Sequence, residues 1–173
     1  MRVLTMLSLL VALSSALSAR SIGNAATRPA QEEEDIREAV IRYQIGQWSR
    51  KDLKNVDPDY AKQKGAVHSS LIVCFISING SDPSDEFLKR FRDVPMAVKK
   101  FSRAKEHFVI FDRKTHEEGI ILDISGIRWQ SDSLVQVDSR LRTCSSCSWG
   151  RTYTVRFENG KWVVASSKLT WMS

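Results

Sequence analysis

The sequence predicts an α+β fold: a curved, bulged antiparallel β-sheet, run largely as a meander, with one N-terminal helix packed on it. Three observations carry this. Residues 31–46 place Ile36, Val40 and Tyr43, with Ala39 beside them, at helical spacing. From Gly119 onward apolar residues recur at every second position, the period of a half-buried strand. That alternation slips by one residue at Gly126 and again between Val164 and Leu169, and a one-residue slip is what a bending β-bulge produces. The chain has 173 residues, 42% of them hydrophobic and 27% charged, which suits one globular domain with a sizeable core.

Residues 1–19 read as a secretory signal peptide. Met1-Arg2 gives a short basic start, Val3 to Leu17 is apolar, and small residues follow at Ala16, Ser18 and Ala19. A cut near residue 25 is the alternative. The apolar run is short for a membrane span, which needs about 20 residues. Export to the periplasm or the medium is the expected localisation. Residues 20–30 are small and polar, a linker, and residues 31–173 form a single domain. The helix over residues 31–46 opens on Glu32, Glu33, Glu34 and Asp35, where negative charge suits the positive end of its dipole, and Gly46 is expected to close it.

Residues 47–70 form a long polar loop that holds His68. Leu71 to Ile78 is apolar at almost every position, which predicts a strand covered on both faces, with Cys74 as a small hydrophobe inside it. Asn79-Gly80 opens a turn. Asp82 is expected to cap a helix with Pro83 at its first position and Phe87, Leu88 and Phe91 on its buried face, running to about Arg92. Val94-Pro95 breaks it, and residues 96–101 suggest a further helical turn.

Phe108 to Phe111 is a short strand candidate between His107 and His116, and the meander begins at Gly119. Residues 130–133 make its first turn. The next strand buries Val135, Val137 and Leu141 and turns Gln136, Asp138 and Arg140 outward. Asn159-Gly160 closes the last hairpin as a type I′ turn, which sets Glu158 opposite Lys161, Phe157 opposite Trp162 and Val155 opposite Val164. Strand parity sends Trp129, Trp162 and Trp171 to the core and leaves Trp149 the more exposed.

Three groups of residues invite a functional reading. Cys144-Ser145-Ser146-Cys147 lies between strands rather than at a helix start, so a local disulfide fits better than a redox centre, and the other half of a zinc site is absent. Asp123 is the one acid within an apolar strand and is a weak candidate for a general base in the sheet's concavity. Such a role requires it to be partly buried and to line a pocket. Lys89, Arg90, Arg92, Lys99, Lys100, Arg103 and Lys105 stand against Asp93 alone, a local excess equal to the +6 of the whole chain. That segment is a candidate dock for an anionic envelope surface, a solvated helix face being the simpler reading. No cofactor or metal is expected. Export and the lack of a stacking or recognition-helix motif argue against nucleic acid.

Several stretches together carry a resemblance. They are residues 34–40 (EDIREAV) with Tyr43, residues 83–88 (PSDEFL) with Phe91, residues 126–129 (GIRW) and residues 158–164 (ENGKWVV). In these the chain resembles small exported bacterial proteins of unknown function with an NTF2-like (cystatin-like) architecture. The resemblance implies a helix across a curved sheet and a small ligand or an envelope partner held in the concavity. Such folds host isomerases, dehydratases and non-catalytic pockets alike, so fold alone selects no reaction. The expected function is non-catalytic binding, with an enzyme using Asp123, or electrostatic docking through residues 89–105, as the alternatives.

Overall fold

The computed structural model describes residues 30–47 and 73–173. The expected signal peptide, the linker up to residue 29 and the polar stretch from residue 48 onward, with Trp48 and His68, lie outside the described residues. The elements run α1 (Ala30–Gln47), β1 (Val73–Ile78), α2 (Asp85–Lys89), β2 (Ala97–Lys100), a 3-10 turn (Phe101–Arg103), β3 (Ala104–Glu106), β4 (Ile110–Asp112), β5 (Gly119–Ser131), β6 (Leu134–Arg142), β7 (Ser148–Glu158) and β8 (Lys161–Met172). This is an α+β fold with one long helix among the described residues.

The main sheet has six strands in the order β2-β1-β5-β6-β7-β8 and is open, not closed into a barrel. From β5 to β8 it is the expected antiparallel meander. At β1 the expectation of an all-antiparallel sheet fails: β1 runs parallel to both β2 and β5, so the sheet is mixed. The cause is the path of the chain, which leaves β1 through α2 to return beside it as β2, then leaves β2 through β3 and β4 to return on the other side of β1 as β5. It also explains why residues 73–77 are all buried. Cys74 and Ile76 face the core under α1, while Val73 and Phe75 join Ala104, Ile110 and Ile121 in a second cluster on the opposite face.

α1 lies across β5, β7 and β8. Its buried stripe is Ile36, Val40, Ile41, Gln44 and Ile45, so the inward face is turned from the expected one and Tyr43 stands at its rim, 38% exposed. Each of the buried aliphatic residues contributes about 2 kcal/mol by leaving water. α1 ends at Gln47, one residue past the expected Gly46. The acidic first half does more than face solvent. Glu34, Asp35 and Glu38 all pair with Arg90, at 2.7–3.0 Å. Arg42 holds Asp93 through both guanidinium Nη atoms at 3.0 Å. These contacts clamp α1 to residues 90–93.

The chain between β1 and β5 differs most from expectation. Asn79 and Gly80 make a tight left-handed turn, with φ of 51° and 77°. The cap of α2 is Ser84, whose hydroxyl accepts from the Phe87 N–H at 3.0 Å. Asp82, expected in that role, accepts instead from the Ser102 N–H at 2.8 Å, and α2 is a single short helix ending at Lys89. Residues 97–100 are a strand, not a helical turn, because pairing with β1 overrides local preference. The short strand after it is shifted to residues 110–112, leaving Phe108 81% exposed.

The predicted bends are present. Gly126, at φ +60°, sits at a register shift between Ser125 and Ile127. The Asn159-Gly160 hairpin has the expected register of Glu158 with Lys161, Phe157 with Trp162 and Val155 with Val164. Glu158 forms its ion pair with Arg156, at 2.8 Å. β8 slips twice, not once: Ala165 is the extra residue between Val164 and Ser166, and Thr170 the extra residue between Leu169 and Trp171.

Candidate functional site: a cavity between helix and sheet

A cavity of about 390 Å³ opens between the C-terminal half of α1 and the strands β7 and β8. Cross-strand register builds its sheet side. Trp149 pairs with Met172, Arg151 with Leu169 and Tyr153 with Ser167, all turned toward α1. The bulge at Thr170 is what makes this possible. Leu169 and Met172 are three residues apart, and without an extra residue between them a period of two would send them to opposite faces. The same slip puts Trp171 on the face away from the helix, against Gly150, so the expectation that Trp171 packs in the core is corrected. Trp149 is half-buried at the cavity instead.

The helix supplies Tyr43, Gln44 and Gln47. At the floor, the buried Gln44 amide donates to the hydroxyl of Tyr153, which is fully buried. Burial raises the Tyr153 phenol above its ordinary range, so it stays neutral across physiological pH. Tyr43 meets the Tyr153 ring edge-on, with centroids 5.9 Å apart. Arg151 is the one formally charged residue of the lining among the described residues. Its Nη1 donates to the Ser167 hydroxyl at 3.3 Å. The result is an amphipathic chamber: aromatic and aliphatic walls, two side-chain amides, hydroxyls at Tyr43, Tyr153 and Ser167, and a cation.

Asp123 does not belong to this cavity. Ile120, Leu122 and Ile124 take the helix-facing positions along β5, so Asp123, between two of them, points to the sheet face opposite α1, in register with Ser77. The Ser77 hydroxyl and, at 3.2 Å, the Gly80 N–H both donate to Oδ1 of Asp123, tying the carboxylate to the turn after β1. Partly buried though it is, Asp123 does not line this cavity, so the weak candidate does not meet the condition set for a pocket base there.

The seven basic residues of the 89–105 segment are not brought together as one free surface. Arg90 pairs with α1, Lys89 with Glu86, Lys100 with Asp85 at 2.8 Å, and Lys99 and Arg103 with Asp112 at 3.0 and 2.6 Å. Arg92 borders a second, smaller cavity beside Leu88 and Pro95, and Lys105 lies over the Phe111 ring, 5.9 Å from its centroid. Cys144 and Cys147 are joined as a disulfide, their Cα atoms 4.8 Å apart, in the connection between β6 and β7. His107 packs edge-on against Phe108 and His116 stacks on Phe111.

Sequence reasoning missed Arg151, Tyr153, Gln44, Leu169 and Met172 as site residues. The available signal was the placement of Trp149 and Arg151 two apart on one strand face; the second bulge that completes the site leaves no signature in composition. Fold and site together define a mixed α+β domain with an amphipathic chamber under α1. No protein family, curated protein or solved structure significantly matches the chain.

Proposed function

We propose that this chain is an exported, non-catalytic binding domain of NTF2-like architecture that holds a small amphipathic ligand between α1 and the strands β7 and β8. The observation that carries the reading is the lining: Trp149, Tyr43, Leu169 and Met172 offer apolar contact, while Gln44, Gln47, Ser167 and Arg151 offer directional polar contact. A concave, mostly apolar site with a few convergent polar groups is the usual form of a small-molecule pocket, and about 390 Å³ lies at the small end of their range. The apolar leader over residues 1–19 supports export, and the Cys144–Cys147 pair suits an oxidising compartment. A long helix laid across a bulged, bent sheet supports the NTF2-like assignment.

The test is an NMR titration of the full chain with 2-naphthol, a neutral amphipathic probe. Expected are saturable shifts at the Trp149 indole, the Met172 methyl and the Gln44 side-chain amide. Shifts scattered over the surface, or none at these groups, would reject the cavity as a binding site.

A further inference from the structure

We infer that the cavity selects a small carboxylate with a flat apolar body, its acid held by Arg151 and its body laid along Trp149, Leu169 and Met172. The inference rests on the cavity being the binding site. Two adjacent cross-strand pairs set the pattern: Arg151 with Leu169, and Trp149 with Met172. Because Thr170 is looped out between them, all four side chains share one face and present a cation beside a continuous apolar strip. Leu169 and Met172 are 46% and 73% exposed, a large apolar area left open to a ligand.

Charge decides which head group fits. Among the described residues no Asp or Glu lines the cavity with Arg151, and its guanidinium donates to the neutral Ser167 hydroxyl at 3.3 Å. A guanidinium carries five N–H donors in a planar fork that matches a carboxylate with two parallel hydrogen bonds. A cation with no carboxylate in the lining makes the cavity complementary to a monoanion. A doubly charged phosphate would leave one charge uncompensated beside buried Tyr153 and apolar walls, which is costly. The indole of Trp149 supplies the flat surface for an aromatic or alicyclic body.

The test compares 2-naphthoate with 2-naphthamide, which share a shape and differ in charge, by NMR titration of the full chain and of its Arg151→Met and Arg151→Lys variants. The wild-type chain should bind the acid about tenfold or more tighter than the amide, the effect expected of a charged hydrogen bond. Arg151→Met should weaken acid binding to the level of the amide and so erase that preference, and Arg151→Lys should restore part of it. Equal binding of acid and amide at the Trp149 and Met172 resonances would overturn the inference and leave the cavity reading intact. Absence of both probes from those resonances would overturn both readings. Should Arg151→Met fail to fold, the wild-type comparison and Arg151→Lys still decide.

Discussion

The indole of Trp171 closes against Gly150, its register partner across β7 and β8, so tightly that a Cβ on Gly150 would stand 2.2 Å from Nε1. Arg140 faces Gly150 from the other neighbouring strand and sets its guanidinium 5.7 Å from the centroid of the same indole. A glycine inside a strand leaves a gap on the sheet surface, and an aromatic ring from the next strand covers it. Gly150→Ala should therefore push the indole outward, costing about 1 kcal/mol or somewhat more and shifting tryptophan emission to the red. In a Trp171→Ala background the same substitution should cost almost nothing. Additive costs in that double-mutant cycle would contradict the close approach.

Gly119 makes a close contact of a different kind. A Cβ there would meet the Val73 carbonyl oxygen at 2.3 Å, with the Phe75 ring at 2.9 Å. The obstacle is the backbone of the parallel partner strand in the buried centre of the sheet, which has no free rotamer to adopt. Gly119→Ala is expected to cost about 3 kcal/mol or more, or to prevent folding, as measured by urea unfolding. A loss as small as that at Gly150 would mean that β1 and β5 are not packed in this register.

Tyr153→Phe removes the acceptor of the Gln44 amide while keeping the ring packed against Tyr43. Gln44 is then left buried without that partner, an expected loss of about 1–2 kcal/mol. Adding Gln44→Leu should recover much of it, because an apolar pair of similar size has nothing unsatisfied. Equal instability of the double variant would show that the hydrogen bond is not the reason both residues are buried.

Asp112 should give the fold an acid limit. Burial pushes its carboxyl up, but Arg103, the Lys114 N–H, Lys99 and the Thr115 N–H together outweigh burial and hold it well below the usual carboxylate range. A carboxyl depressed in the folded state adds stability that is fully present above its unfolded pKa of about 3.9 and is lost as pH falls toward the folded value. Asp112→Asn should destabilise the protein at neutral pH by an amount that stays constant down to about pH 5 and shrinks below about pH 4. A gap between the two stability curves that widens on acidification would reverse the assigned sign.

Thiol chemistry should separate the three cysteines. Burial pushes the Cys74 thiol up to about 12, so the native protein should not react with a thiol reagent at pH 8. Unfolded without reductant it should yield one thiol, Cys74, and three after reduction. Three thiols before reduction would remove the disulfide. Replacing Cys144 and Cys147 by serine should cost about 2 kcal/mol in the chain-entropy model of so short a loop.

How far sequence could reach depended on whether a feature was local. The register of the final hairpin was legible from its turn to Val164 because Asn159 and Gly160 supply positive φ where a type I′ turn needs it, and Phe157–Trp162 and Val155–Val164 then pair on one face. Gly126 was legible for a similar reason: the apolar parity changes where a residue able to adopt φ +60° stands. α1 could be read from its spacing, although the turn of its buried stripe toward Ile41 and Ile45 could not, since sheet curvature decides which residues meet the core. Within the basic segment the pairing of Arg90 could not be read, because its partners Asp35 and Glu38 lie far away in sequence on α1.

Local sequence was enough to set the α+β class, the antiparallel meander, two of its bends and the Cys144–Cys147 closure, because nearest neighbours, turn residues or short loops govern each of them. It took the assembled sheet to make β1 parallel, to turn Asp123 away from the helix, and to loop out Thr170 so that Arg151, Leu169, Trp149 and Met172 share one wall. The physical reason is common to all three. Strand direction and register are settled by which partner strand lies alongside, and a one-residue slip in pairing moves every later side chain to the other face.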